Sequence, residues 1–158
     1  MIECGRDGRL SFVASGVVST VAAEALAERL CHLHRALVAL LGSWSPDEAA
    51  VEQTYMNKNA GAALKLGQAR GVVLLAPVLA GVPVAEYGAM EVKRAVVGTG
   101  HAEKAQVEAM VRRLLPGAQI RRADAADALA VAICHAHHRA SRIALARAQG
   151  RASGGLPA

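Results

Sequence analysis

The chain has 158 residues, of which 53% are hydrophobic but only 3% aromatic, so its apolar content is mainly aliphatic. This length is typical of one domain that folds without disulfides, and a mean hydropathy of +0.27 excludes a disordered chain. The net charge of +5 favours an anionic partner, and we find no uninterrupted apolar stretch of about 20 residues that would indicate a membrane span.

The start of the chain and its cysteines predict the cellular compartment. Residues 1–8 contain no apolar signal-peptide core. The three cysteines, Cys4, Cys31 and Cys134, are odd in number and far apart. We therefore expect a cytoplasmic protein with reduced thiols and no membrane partner.

The first elements are a hairpin and a long helix. The dipeptide Asp7-Gly8 predicts a turn, and residues 10–19 after it predict a strand. A helix capped by Ser19 or Thr20 is expected to reach about Leu41. Its apolar positions recur at three- and four-residue spacing, as in Leu26, Leu30, Leu33, Leu37, Leu40 and Leu41.

The middle of the chain alternates between strand and helix. Residues 49–53 predict a short buried strand, and residues 60–80 predict a helix in which Pro77 either introduces a kink or loosens the last turns. Residues 82–87 predict the next strand.

The last third is helical, with segments at 90–96, 102–115 and 123–148. Residues 149–158 are rich in Gly, Ser and Ala and predict a disordered tail, so the folded domain is expected over 1–148. Hairpin signals followed by helix-strand alternation predict an α/β or α+β fold with a mixed sheet.

Three acidic residues stand in apolar surroundings. Glu52 lies at the carboxyl end of the predicted strand over residues 49–53, whereas Asp124 and Asp127 share one face at the start of the last predicted helix. The two aspartates fit helix capping, since the helix dipole favours negative charge at this end. They also fit a divalent-cation site, because cations such as Mg²⁺ prefer several carboxylate oxygens.

Histidines near Cys134 raise the question of a zinc site. His135, His137 and His138 follow it in the last predicted helix. Adjacent helical positions diverge by about 100°, so at most Cys134 and one histidine share a face. Two ligands are too few for structural zinc, and solvent-facing or helix-end histidines are the favoured interpretation.

Basic residues are spread through the middle of the chain, where they fit either ordinary solvated faces or contacts with a phosphodiester backbone. Those assigned to DNA contacts are Lys58, Lys65 and Arg70. The segment Gly98-Thr99-Gly100 lacks the spacing of a phosphate-binding loop, so nucleotide binding has no motif support.

Four motifs closely resemble the RuvC family of Holliday-junction resolvases. They are the segments VEQTYMNKN at 51–59, AALKLGQARG at 62–71, VVGTG with AEK at 96–104, and ADAADALA at 123–130. Their spacing is consistent with the family from about Met1 to about His138.

The resemblance implies an RNase H-like α/β fold, in which helices flank a mixed central sheet. It also implies a homodimer that binds four-way junction DNA and works with the RuvA-RuvB branch-migration complex in recombination and repair. Cleavage would be hydrolytic and Mg²⁺-dependent, with two ions per active site and Mn²⁺ as a substitute.

The same resemblance assigns roles to individual residues. Glu52, Asp124 and Asp127 match three of four metal-binding catalytic carboxylates. Lys93 and Lys104 match lysines that assist DNA binding and cleavage. Tyr55 stands where the family usually has Phe and keeps the aromatic face needed to stack on bases. The helix from Ala60 matches the dimerisation helix.

One part of the family pattern is not matched. The family opens with a central strand that carries the first catalytic Asp in an Asp-Pro-Gly context, whereas Met1–Cys4 matches the end of the strand that follows. Asp7 lies in the hairpin turn and does not replace that carboxylate. We expect that the start codon of this sequence is placed too far downstream. The alternative is a catalytically inactive module that binds junction DNA.

Overall fold

The computed structural model describes residues 1–53, 59–120 and 122–153, with the backbone alone for 142–153. Two compact units result, one from residues 16–89 and one from residues 1–15 together with 90–158. The elements run in the order β1 (Ile2–Cys4), β2 (Leu10–Phe12), α1 (Leu26–Trp44), β3 (Ala49–Glu52), α2 (Ala60–Leu79), β4 (Val84–Tyr87), α3 (Ala89–Val97), α4 (Lys104–Leu114) and α5 (Ala123–Ser153).

Within the described ranges, the strands form two ladders of two strands each. β1 and β2 pair antiparallel in the unit that contains both chain ends, whereas β3 and β4 pair parallel in the other unit. Both kinds of pairing predicted for a mixed sheet are therefore present in the described residues, but in two ladders.

The predicted hairpin at Asp7-Gly8 is confirmed, but its second strand is shorter than expected. Gly8 adopts a φ of +80°, which favours glycine, and the Asp7 carboxylate accepts a hydrogen bond from the Arg9 amide at 3.0 Å. β2 ends at Phe12, after which the backbone amides of Val13 and Ala14 both donate to the carbonyl of Met1.

Helix α5 supplies most of the core of the unit that contains the chain ends. Leu129, Ile133 and Cys134 are fully buried along one face, and α5 packs against α4 and β1. On α4, Val111 is fully buried. Gly98 ends α3 with a φ of +91° and donates its amide to the Arg94 carbonyl, so this glycine serves as a helix terminator.

Helix α5 extends further than the sequence predicts. It continues through Ser153, so residues 149–153 are helical where a tail is expected, and residues 154–158 lie outside the described part of the chain. Helix propensity from Ala and Arg outweighs the single Gly150, because one glycine costs only about 1 kcal/mol relative to alanine.

In the other unit, α1 begins later than Thr20. Its first turn is stabilised by Glu28, whose carboxylate accepts a hydrogen bond from the Ala25 amide at 3.3 Å. The Thr20 hydroxyl instead accepts one from the Arg29 side chain at 3.0 Å, which holds residues before the helix against it. The leucine face packs against α2, except that Leu40 is exposed.

Helix α2 lies between β3 and β4 along the chain. Asn59 caps it by accepting a hydrogen bond from the Ala62 amide at 3.0 Å, and the helix continues past the buried Pro77 to Leu79. The chain then turns at Gly81, whose φ is +76°.

Helix α2 is also long and apolar enough, by length and composition, to cross a membrane. The apolar run is not uninterrupted, because Lys65 and Arg70 lie within it. Core helices of soluble proteins pass the same test, so this is weak evidence for a membrane.

Candidate active site

Glu52 stands at the carboxyl end of β3. It is the last residue of the parallel register and pairs with Tyr87 of β4. The next amide, that of Gln53, donates to the Tyr87 carbonyl at 2.8 Å and closes the ladder. Tyr87 is 5% exposed whereas Glu52 is exposed, so a buried aromatic ring lies beside the strand end from which the carboxylate projects into solvent.

Arg70 of α2 reaches this strand end. Its guanidinium donates to the backbone carbonyl of Glu52 and to the carboxylate of Glu86 on β4. Its side chain is 20% exposed. The structure thus gives Arg70, which the sequence assigns to DNA contacts, two partners within its own unit.

The remaining predicted DNA contacts are placed differently. Lys65 is exposed on α2 and its assignment to DNA stays a prediction. Tyr55 and Lys58 lie outside the described residues, in the stretch 54–58 between β3 and α2. Their roles therefore also stay predictions.

Asp124 and Asp127 lie in the first two turns of α5. Their side chains are 72% and 43% exposed, although Ala125 and Ala126 between them are buried. The carbonyl of Arg122 accepts from the amides of Ala125 and Ala126, so the helix begins one residue before Asp124 and the aspartate does not occupy the capping position.

Each aspartate has a cationic neighbour. Lys104, the first residue of α4, places its ammonium nitrogen 3.5 Å from Asp127 Oδ2. A guanidinium nitrogen of Arg122 lies 3.8 Å from Asp124 Oδ2. Exposed pairs at such distances stabilise a fold by about 1 kcal/mol or less, so both aspartates can exchange these partners for a ligand. Lys93 is half-buried on α3, beside the buried Val92.

The donor chemistry of these carboxylates fits a hard divalent cation. Glu52, Asp124 and Asp127 offer only oxygen ligands, and all three are solvent-accessible. The structure brings Asp124 and Asp127 together on one helix start. Among the residues that the structure describes, no group of three or more His, Cys, Asp or Glu side chains is arranged to hold a metal ion.

The histidines of α5 make protein contacts. His137 Nδ1 lies 3.1 Å from the Ala95 carbonyl, and His138 Nε2 lies 3.1 Å from Glu91 Oε1, both on α3. Burial, with a smaller effect of the Glu91 charge, raises the pKa of Cys134 to about 11. A protonated thiol is a poor zinc ligand, because the thiolate is the binding form.

Sequence reasoning missed Glu86 and Glu91. Glu86 lies in β4, one residue before the strand end, and a charged residue in an otherwise apolar strand is a signal that could have identified it. Glu91 in the first turn of α3 resembles an ordinary helix-start acid, so no sequence signal links it to His138.

Comparisons with known proteins agree with the motifs. The family model described as crossover junction endodeoxyribonuclease RuvC matches residues 1–135. A curated protein of that name from Granulibacter bethesdensis is 66% identical over 139 residues, which cover 88% of this chain and 78% of the relative. Another of that name from Acidiphilium cryptum is 69% identical over 133 residues, covering 84% and 80%.

Solved structures are similar over the same region. The structure titled T. thermophilus RuvC in complex with Holliday junction substrate has a TM-score of 0.81 and 36% identity, covering 87% of this chain and 84% of that chain. A Thermus thermophilus RuvC structure has a TM-score of 0.77 at 36% identity, covering 89% and 86%. The chain therefore belongs to the RuvC family of crossover junction endodeoxyribonucleases and has the RNase H-like α/β fold of that family.

Proposed function

We propose that this protein is a structure-specific endonuclease that resolves four-way DNA junctions in recombination and repair. The observation that carries the proposal is an accessible glutamate at the end of β3, together with two accessible aspartates at the start of α5. The names of the relatives and the junction-bound structural neighbour support this substrate.

The three carboxylates and Lys104 have different roles in the proposed reaction. Glu52, Asp124 and Asp127 would hold Mg²⁺ through their oxygens, with Mn²⁺ as a substitute. Bound Mg²⁺, expected as two ions per site, would supply activation of the attacking water and stabilisation of the leaving oxygen of the phosphodiester. Lys104, 3.5 Å from Asp127, neutralises negative charge that develops on the scissile phosphate.

Other residues hold the DNA. Lys58, Lys65 and Lys93 neutralise backbone phosphates, and binding of this kind weakens as salt rises. Tyr55 stacks on bases near the junction centre. The RuvA-RuvB complex is the expected protein partner, and the cytoplasm is the expected compartment.

Helix α2 is the proposed dimer interface. Four of its five exposed large apolar residues, Leu64, Leu75, Val78 and Leu79, fall within about 100° of one another around the helix axis, whereas the fifth, Leu66, lies on the other side. The half-buried Ala69 and Val73 lie on the opposite side. A second copy of the chain would cover the exposed stripe and present a second active site, as the two strands of a junction require.

The test is cleavage and binding of a synthetic four-way junction by Glu52→Gln and Asp124→Asn variants. We expect each change to lower Mg²⁺-dependent cleavage at least about 100-fold, because each removes a charged ligand. Junction affinity measured without Mg²⁺ should be retained or slightly higher, since the acids contribute little to holding DNA and their removal lessens repulsion of the phosphate backbone. Glu108→Gln on α4, which changes the same kind of side chain in an exposed pair with Arg112, is the control and should retain cleavage.

The assay is run on the 158-residue chain and on any longer product of its reading frame. Junction binding without cleavage by every form would contradict the nuclease assignment and support the binding module. Equal loss of binding and cleavage in Glu52→Gln would contradict its assignment as a metal ligand.

A further inference from the structure

Arg70 joins three chain segments at the end of β3. From α2 its guanidinium donates one hydrogen bond to the Glu52 carbonyl on β3 and another to the Glu86 carboxylate on β4. An arginine fork has several donors in a fixed plane, so two acceptors on different strands hold it in one orientation. The contacts span 18 and 16 residues of sequence, respectively, so they fix tertiary geometry.

The backbone of Glu52 faces away from β4. The Ala49 amide bonds to the carbonyl of Pro83, just before β4, and the Gln53 amide to that of Tyr87 at its end, and backbone groups alternate between the two edges of a strand. Glu52 lies one position out of phase with Ala49 and Gln53, so its carbonyl points to the other edge. Its donor is therefore Arg70 rather than the neighbouring strand.

The pleat of the ladder separates Arg70 from the Glu52 carboxylate. Glu86 is in register with Val51, so these two side chains share a face and the Glu52 side chain points to the opposite face. Arg70 bonds to Glu86 and so approaches from that shared face. The arginine thus holds the backbone of Glu52 and leaves the carboxylate free to bind a cation.

We propose that Arg70, fixed by Glu86, is a positioning residue that sets the direction in which Glu52 presents its carboxylate to the metal. This inference rests on the proposed nuclease function. It reassigns Arg70 from DNA binding, because the guanidinium already serves two acceptors of its own chain and is 20% exposed. Lys65 on the same helix is exposed and has the accessibility that a phosphate contact needs.

The two roles predict different consequences of losing Arg70. A positioning role lowers the rate of cleavage of bound junction and raises the Mg²⁺ concentration at half-maximal rate, because the ligand geometry deteriorates. A DNA-contact role weakens junction binding and reduces the slope of log affinity against log salt by about one.

The experiment compares Arg70→Gln, Arg70→Lys and Glu86→Gln with the unaltered protein in single-turnover cleavage across Mg²⁺ concentrations. Junction affinity is measured without Mg²⁺ across salt concentrations. We expect Arg70→Gln to slow cleavage at least about 10-fold and to raise the half-maximal Mg²⁺ concentration, as for loss of an outer-shell partner. Junction affinity and its salt slope should stay the same. Arg70→Lys, which keeps the charge but not the fork, should be intermediate.

Two further comparisons test whether Arg70 and Glu86 act together and whether the effect is specific to their position at the end of β3. The Arg70→Gln and Glu86→Gln changes combined should be no worse than Arg70→Gln alone, because the two residues act as one unit. Arg112→Gln is the matched control, since Arg112 also bridges a glutamate, Glu108, and a backbone carbonyl, that of Ile120, but on α4. It should leave cleavage and its Mg²⁺ dependence unchanged.

A readout independent of activity follows the Gln53 amide, which closes the ladder next to Glu52. Its hydrogen exchange should speed up in Arg70→Gln and not in Arg112→Gln. If exchange there is unchanged, or if affinity and salt slope fall while cleavage of bound junction is normal, the proposal is overturned. If the unaltered protein binds junctions without cutting them, the proposed function fails, and the Gln53 exchange rate still decides whether Arg70 orders the end of β3.

Discussion

Glu52, Asp124 and Asp127 are accessible, yet each is next to residues that the fold removes from solvent. Ala125 and Ala126 are buried between the two aspartates, and Tyr87 is buried beside Glu52. Accessible carboxylates keep their lone pairs available, while their buried neighbours fix the backbone that carries them. In the proposed nuclease, each carboxylate is therefore available to a ligand on a backbone that its neighbours hold in place.

Cys134 shows the opposite environment on the same helix. It is fully buried, and burial, reinforced by the Glu91 charge, raises its pKa from an ordinary 9.0 to about 11. At a given pH below 9 its thiolate fraction is about 100-fold smaller than that of an unperturbed thiol. The contribution of this protonated thiol to stability is complete below pH 9 and is lost as the pH rises through about 11.

We predict that iodoacetamide at pH 8.5 modifies Cys31, which is exposed, and leaves Cys134 unmodified in the folded protein. The reason is that the thiolate is the reactive form and Cys134 is both buried and protonated. Mass spectrometry of peptides after timed labelling measures the two rates. Labelling in guanidinium is the control and should equalise them. Equal rates in the folded protein would contradict the burial of Cys134.

At the scale of elements, apolar spacing predicts the helices well but not where they begin. The leucine pattern places α1 correctly, whereas its start at Leu26 depends on the Glu28 carboxylate and on Thr20 bonding to Arg29. Residues 13–19 suit a strand by composition, but they form no ladder. β1 pairs only with residues 10–12 of β2, and Phe12 is the last of these along the chain. A strand needs a partner, which local composition does not supply.

Helix α2 carries Arg70 and depends on its cap. We predict that Asn59→Ala lowers the free energy of unfolding by about 1 kcal/mol, because the Ala62 amide loses its side-chain acceptor. Thermal unfolding followed by circular dichroism should show the midpoint falling by about 2–4 °C for a chain of this size. Asn59→Asp retains the capping oxygen and should keep the original midpoint. An unchanged midpoint for Asn59→Ala would show that the cap is dispensable.

At the scale of the whole molecule, the proposed dimer explains why α2 carries an exposed apolar stripe, formed by Leu64, Leu75, Val78 and Leu79. Its exposed residues lie opposite the face that packs in the unit formed by residues 16–89. Contiguous exposed apolar surface of this kind is typical of sites at which proteins associate. The same apolar residues contribute to making α2 long and apolar enough, by composition, to cross a membrane.

We predict that the combined change Leu75→Glu and Leu79→Glu converts a dimer to a monomer, because two buried charges would face each other across the two-fold axis. Sedimentation velocity measures the mass, and circular dichroism checks that helix content is unchanged. Leu40→Glu on α1, an exposed leucine outside the stripe, is the control and should remain dimeric. A dimer that survives the double change would exclude α2 as the interface.

The sequence by itself determined the hairpin at Asp7-Gly8, the centres of the helices and the family, and it identified Glu52, Asp124 and Asp127 as the candidate carboxylates. These features depend on residues within a few positions of each other or on motifs read directly. Only the tertiary structure decided the partners of Arg70, the burial of Cys134 and the pairing of His138 with Glu91. The physical reason is distance along the chain: Arg70 meets its partners across 16 and 18 residues, beyond the reach of helical or strand periodicity.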